Sequence, residues 1–409
     1  MRTAFNNPFS PGSDTVPEIW AGRSTQLNDW ADIVRPRRTA GLPERGRTIL
    51  GEAGLGKSAL VRRIAASAEQ SGDWVTPQLR IPVGTDALKA VATTVLRLAN
   101  KAGLPASREK HIRDALDRVR TVAASGISLT LDRANGPEPY TALSELLIEV
   151  GKAADKAGRA VLIHIDEVQN ITAENQLSQL LISLGDAITY EHTIKAPGGV
   201  ELTKALPIAV YLTGLPDFAE LAGARRGATF ARRFATTTLT PISDDDFTLA
   251  LHPFVAEGWQ IPDDAGEFSL VHMTQEASAK IVELAKGEPF LFQLAGERAW
   301  YSDNTNMITL ENVIDGWSGI VSEASLHIER ILDRLPARER QFVEVMASLS
   351  PADRTLTTIA KKMGLTDGTQ IGSTAQRLDT LRGIIDRGSP YTFRHRGIEA
   401  YLTSTWPRI

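Results

Sequence analysis

The chain of 409 residues contains no cysteine, which excludes disulfides, thiolate metal sites and cysteine nucleophiles and suits a cytoplasmic protein. No apolar run approaches the roughly 20 residues that span a bilayer. The stretch from Met1 to Pro8 holds no apolar core of a signal peptide, so no membrane partner is expected. Charge of one sign is also lacking: 45 Lys and Arg against 49 Asp and Glu leave a net charge of −4, so any nucleic-acid surface must be local. Internal repeats and low-complexity tracts are absent. What is there is a globular composition, 42% hydrophobic and 23% charged, in a chain too long for one ordinary core. Two or three domains are expected.

Against that background stands the run Gly51-Glu52-Ala53-Gly54-Leu55-Gly56-Lys57-Ser58, a complete G-x-x-x-x-G-K-[ST] phosphate loop. Ile49-Leu50 leads into it like a strand end, and the residues from Ser58 and Ala59 onward leave it with helical spacing. Glycines let backbone N–H groups close around an anionic phosphate, and a helix N-terminus adds its dipole. Lys57 has the reach and charge for the β- and γ-phosphates, and the Ser58 hydroxyl suits a Mg²⁺ ligand position. ATP and Mg²⁺ are therefore the expected cofactors.

From 48 to 241 short apolar strands alternate with helical stretches, the pattern of an α/β fold with a parallel sheet flanked by helices. Strands are expected at 48–50, 75–81, 161–165, 209–213 and 236–239. The third ends in Asp166-Glu167. In a phosphate-loop protein the first acid at such a strand end faces Mg²⁺ and the second orients and deprotonates the attacking water, so Asp166 is the expected metal partner and Glu167 the expected base. His164, inside the strand, reads as a core histidine bonded to a neighbouring helix. The fourth strand ends at Thr213, whose hydroxyl either faces the γ-phosphate or caps the next turn. The box from Arg225 to Phe234 carries Arg232 and Arg233; one of them acts as an arginine finger toward a neighbouring subunit's phosphate, or both solvate the surface. Between the second and third strands lies an arginine-rich insert, 103–138, read as a solvated helical face.

Phosphate loop, Asp-Glu strand, polar strand end, Arg-Arg-Phe box and helical lid, in this order, resemble the AAA+ ATPases. More narrowly the chain resembles the origin-recognition-type ATPases of bacteria and archaea. The segment Asn7-Pro8-Phe9-Ser10-Pro11-Gly12, with Ala21-Gly22-Arg23, is similar to the part that lies over the adenine in that group, which makes Arg23 a nucleotide contact by resemblance. The lid departs from the family pattern. Where many AAA+ lids carry a phosphate-sensing arginine, this sequence reads Lys286-Gly287-Glu288-Pro289, a Gly-x-Pro as in STAND signalling ATPases, with Pro289 on the nucleotide side. The resemblance thus implies slow turnover, a switch more than a motor, and a homo-oligomer joined through ATP.

After 243 the strands are expected to stop. Helices at 244–256, 274–286 and 289–302 form an all-helical lid. The stretch 355–365 resembles the first helix of a helix-turn-helix, 370–382 its second helix and 383–394 a hairpin wing, a winged-helix pattern. Arg377, Arg382, Arg387, Arg394 and Arg396 are its candidate DNA contacts, although 319–409 carries only 13 Lys and Arg against 10 Asp and Glu. The expected domains are an ATPase core over 1–242 with an adenine-contacting segment 1–30, a lid over 243–320 and a winged helix over 321–409. Three roles follow: a switch on double-stranded DNA of initiator or loader type, a STAND-like regulator whose winged helix makes protein contacts, or a DNA-targeting ATPase of a mobile element or defence system.

Overall fold

The computed structural model describes residues 1–12, 15–101, 139–195, 201–223, 232–262 and 268–409. The expected insert 103–138 lies outside these residues. The chain divides into two compact units: Ser24–Leu50 with Leu60–Thr237, and Met1–Arg23 with Gly51–Ala59 and Thr238–Ile409.

The first of these is built on a sheet. Its strands are Gly46–Leu50 (β1), Trp74–Val75 (β2), Leu79–Arg80 (β3), Val161–Asp166 (β4), Ile208–Gly214 (β7) and Phe234–Thr238 (β8). Glu191–Lys195 (β5) and Glu201–Ala205 (β6) form a separate antiparallel hairpin. The sheet order is β2-β4-β7-β1-β8, with β3 also on β4. β1 and β4 each pair with β7 in parallel. β4 and β7 are buried along their whole length, as strands covered on both faces must be. Helices Lys57–Gln70 (α1), Ala87–Lys101 (α2), Pro139–Lys156 (α3) and Glu174–Thr189 (α4) join these strands, and Leu88, Val95, Leu146, Leu180 and Leu184 meet Ile163 and Val210 in one apolar cluster. The second expected strand, 75–81, splits in two at Thr76-Pro77-Gln78, where a proline removes a ladder donor.

In the other unit, Asp244–Ala256 (α5), Gln275–Ala285 (α6) and Pro289–Tyr301 (α7) match the expected lid helices within a residue or so. Ser243 and Thr274 cap α5 and α6 by accepting the N–H of Asp246 and Ala277. Lys286 and Gly287, with φ of 50° and 87°, stop α6 in left-handed conformation. The lid is not purely helical, however. Trp259–Pro262 (β9), Phe268–Met273 (β10) and Met307–Ile308 (β11) form a three-stranded sheet whose Ile261, Val271 and Met273 point into the core. Leu310–Ser318 (α8), Val321–Asp333 (α9), Ala337–Ala347 (α10), Leu356–Lys362 (α11), Gly372–Gln376 (α12) and Arg396–Thr403 (α13) follow. α12 continues as a wider turn through Leu381, and the hairpin is Ile385–Asp386 (β12) against Thr392–Phe393 (β13).

The expected border at 320/321 is not a gap between cores. One apolar cluster runs from Phe9 through Phe247, Phe292 and Trp317 to Ile328, Phe342 and Leu378. The N-terminal segment is bound into it up to residue 23. Arg2, 3% exposed, donates to the carbonyls of Ala299 and Thr305, and Gln293 receives Ser10 N–H and donates to Ile19 O. Residues 24–30, expected to belong to the same segment, lie with the sheet instead. No helix among the described residues is long and apolar enough to cross a membrane.

Candidate nucleotide site

The phosphate loop starts at the residue after Leu50, the carboxyl end of β1, and turns into α1 at Lys57. Gly54 and Gly56 have φ of 85° and 79°, values that only glycine adopts without strain. A Cβ at Gly54 would lie 2.5 Å from the His327 ring, so a side chain there is excluded sterically as well. Lys57, 9% exposed, donates to the carbonyls of Gly51 and Glu52 at 2.8 and 2.9 Å. Arg23 has φ of 64°, and its Nη2 donates to Leu55 O at 3.0 Å. Burial pushes the Arg23 guanidinium down to about 10, with Asp246 opposing, and its buried Nε has no hydrogen-bond acceptor. Pro289 opens α7 beside Gly56, and the next N–H, of Phe290, donates to Gly54 O at 3.2 Å. A positively charged cradle with an orphaned buried donor and no room for a Cβ fits a phosphate-bearing ligand.

In the sheet unit, Asp166 closes β4 with no exposure. Its Oδ1 accepts the Thr213 hydroxyl at 2.5 Å and the Glu167 N–H at 2.9 Å, and its Oδ2 accepts from Gln78 Nε2 at 2.7 Å. Arg62 in turn holds Gln78 at 2.6 Å. Thr213 is fully buried on the neighbouring strand, so it braces Asp166 rather than capping the next turn. His164 Nε2 lies 3.0 Å from the same hydroxyl. The expected helix partner for this histidine is therefore replaced by a strand partner. Burial pushes His164 down to about 4, with Asp166 opposing, so the ring is neutral at physiological pH. Thr213 has one proton, already given to Asp166, and the neutral ring must donate from Nε2. Glu167 has φ of 59° and receives Gln169 Nε2, while Gln169 Oε1 accepts Leu215 N–H at 2.9 Å. Gly214 has no room for a Cβ beside Gln169. Asp and Glu oxygens are hard donors of the kind that Mg²⁺ takes, as is the Ser58 hydroxyl.

Of the two finger candidates, Arg233 pairs with Asp186 at 2.5 Å and lies along Gly185 of α4, whereas the backbone of Arg232 presents its side chain at an exposed position. The proposed DNA contacts change character. Arg382 is 3% exposed and cannot reach a base edge; its Nε donates to Glu339 at 3.0 Å and its Nη1 lies 3.9 Å from Glu52. Arg377 pairs with Glu339 at 2.6 Å, Arg387 with Asp379 at 3.0 Å and Arg394 with Asp379 at 2.8 Å. Arg396 holds Asp244 through two bonds of 2.7 Å. A weak net charge has this geometric counterpart: each arginine faces a carboxylate of its own chain. Thr374, in the helix Gly372–Gln376, is 7% exposed.

Sequence reasoning missed a buried ionic group behind the loop. Glu288 is wholly buried, accepts from His327 Nε2 and lies 3.6 Å from His395 Nδ1. Burial pushes its carboxyl up, but His395 and His327 outweigh this and hold it below the ordinary value. Glu339, 3% exposed, joins Arg377 to Arg382. Replacing Glu339 with alanine leaves the Arg382 guanidinium buried without its nearest carboxylate. This is expected to destabilise the fold by about 3–5 kcal/mol, read as a lowered denaturation midpoint at constant slope. An unchanged midpoint would mean that Glu52 alone neutralises Arg382.

Residues 19–194 match the family model described as AAA ATPase domain. No curated protein matches the chain. Among solved structures, the chain is similar to the ORC2 protein of Aeropyrum pernix in its ADPNP–ADP complexes, at 16% identity and a TM-score of 0.56, over 96% of this chain and 95% of that one. It is also similar to the Walker-type ATPase PABY2304 of Pyrococcus abyssi, at 13% identity and a TM-score of 0.54, over 94% and 96%. At such identities the likeness speaks for the fold. Residues 19–194 are thus similar to an AAA ATPase domain, and the chain has the parallel α/β fold seen in these phosphate-loop ATPases.

Proposed function

We propose that this chain binds ATP and hydrolyses it slowly, as a nucleotide-dependent switch rather than a motor. The observation that carries this reading is the Asp166 carboxylate, fully buried at a strand end and oriented by Thr213, Gln78 and the Glu167 N–H. A buried ionic oxygen with that many donors aimed at it is preorganised, and preorganised charge is what phosphoryl transfer requires. The cradle from Gly51 to Ala59, with Lys57, Arg23 and Pro289, would hold the nucleotide, and Ser58 and Asp166 each offer an oxygen of the kind that Mg²⁺ takes. When bound, Mg²⁺ neutralises charge on the phosphate oxygens. Glu167, steadied by Gln169, takes the proton of the attacking water. Phosphate release from ATP by the purified chain tests the reading, and its absence in the presence of Mg²⁺ would sink it.

The C-terminal part, read as a winged helix, supports protein contacts over DNA. Its candidate arginines face carboxylates of this chain, and a charge already paired adds little to phosphate binding. This favours the STAND-like regulatory reading over the initiator, loader and DNA-targeting readings. Assembly through ATP would use Arg232, exposed and ahead of β8, as the residue supplied to a neighbour. Arg232→Ala is then expected to lower turnover roughly a thousandfold or more while leaving ATP affinity unchanged. Mixing it with Lys57→Ala protomers, which present an intact Arg232 to the variant's competent sites, should restore part of the rate. Equal turnover in Arg232→Ala and wild type would remove it from the reaction.

A further inference from the structure

The stretch Lys286-Gly287-Glu288-Pro289 carries no arginine, and the phosphate loop holds an acid. Glu52, the second residue of the loop, is 1% exposed, and burial pushes its carboxyl up although Arg334 and Arg382 pull it down. The ionised form is thus under-compensated where it sits, and its Oε1 has no hydrogen-bond donor. Arg334 Nη2 donates to its other oxygen at 2.9 Å. Arg334 immediately follows α9, and His327 of the same helix packs on Gly54. One helix therefore brings both an imidazole and a guanidinium to the loop. Arg298 of α7 does not substitute for them, since it faces Glu297 and Glu323 at 3.7 and 3.9 Å.

We propose that Arg334 is the arginine that contacts the terminal phosphate of a nucleoside triphosphate, and that Glu52 is the carboxylate it leaves to do so. The inference rests on the loop binding a nucleotide. A triphosphate adds negative charge next to an acid that is already poorly compensated, which weakens the hold of Glu52 on Arg334 and offers the guanidinium a second anion of the same geometry. Arg382, fixed by Glu339, stays 3.9 Å from Glu52 when Arg334 leaves. Arg334, one-third exposed, has the freedom that Arg382 lacks.

The test is calorimetric titration of ADP and of a non-hydrolysable ATP analogue into the full chain and three variants. Arg334→Gln is expected to weaken the triphosphate about tenfold or more while leaving ADP within about twofold, because a charge-assisted bond to the terminal phosphate is lost. Glu52→Gln, which keeps the shape and removes the competing charge, is expected to tighten the triphosphate by a similar factor. Thermal melts of both variants check that the fold is kept, and Glu52→Gln carries the test should Arg334→Gln melt early. Equal losses for both nucleotides in Arg334→Gln, no loss at all, or a weaker triphosphate in folded Glu52→Gln would each overturn the proposal. Lys57→Ala separates the two levels: if it abolishes binding that Arg334→Gln leaves indifferent to the third phosphate, the loop reading stands and this proposal falls. If the wild-type chain binds neither nucleotide, both fall.

Discussion

Lys57→Ala is expected to abolish ATP binding, with an affinity loss of about a hundredfold or more. The ammonium sits inside the loop on the carbonyls of Gly51 and Glu52, 9% exposed, so it is a desolvated charge with no solvent screen. Hydrogen bonds to charged groups contribute about 1.5–3 kcal/mol each, and this side chain has the reach for two phosphates. Among the described residues, Arg23 is turned onto Leu55 O, and Arg334, even once it has moved from Glu52 to the terminal phosphate, does not replace the ammonium inside the loop. Melting with and without ATP checks the effect independently of turnover. A saturating ligand at a hundred times its dissociation constant stabilises the folded chain by about 2.7 kcal/mol, and the variant should show no such shift. A preserved ATP-dependent shift would mean that Lys57 is not the phosphate counter-ion.

Glu167→Gln is expected to retain ATP binding and lose turnover by about a hundred- to ten-thousandfold, the range of a general base. Glutamine keeps the length of the side chain and an oxygen for Gln169 Nε2, so the left-handed turn at φ of 59° is not disturbed. It cannot accept the proton of water. Asp166 is not free to replace it, since both its oxygens already receive donors from Thr213, Gln78 and the Glu167 N–H. Phosphate release measured beside nucleotide affinity separates the two functions. Undiminished release would remove Glu167 as the base, and lost affinity would give it a binding role instead.

The parts of the site that were legible in the sequence are contiguous. The cradle is a single run, Gly51 to Ala59, and Asp166-Glu167 are neighbours at the end of an apolar strand whose bounds, 161–165 expected and Val161–Asp166 observed, differ by one residue. Strands buried on both faces write themselves as continuous apolar runs, and β7 followed the same rule. The lid strands did not. β10 has the mixed burial pattern of a short, half-exposed strand, with Phe268 and Leu270 on its exposed side, so its residues show no clean alternation. Thr213 has two possible roles in the sequence, and in the structure the neighbouring strand brings its hydroxyl to Asp166.

By itself, then, the sequence determined the parallel α/β order and gave reason to expect a phosphate cradle and acids at a strand end, because each of these is written in residues close along the chain. Only the tertiary structure decided what surrounds them. Glu52 meets Arg334 across 282 positions, His327 meets Glu288 across 39, and Arg382 meets Glu339 across 43. No periodicity records such pairs, since a buried charge is matched by whichever opposite charge the fold delivers to it. The same physics turned one candidate DNA contact, Arg382, inward: an arginine is a surface cation in a sequence, and it becomes a buried counter-ion only when packing removes its water.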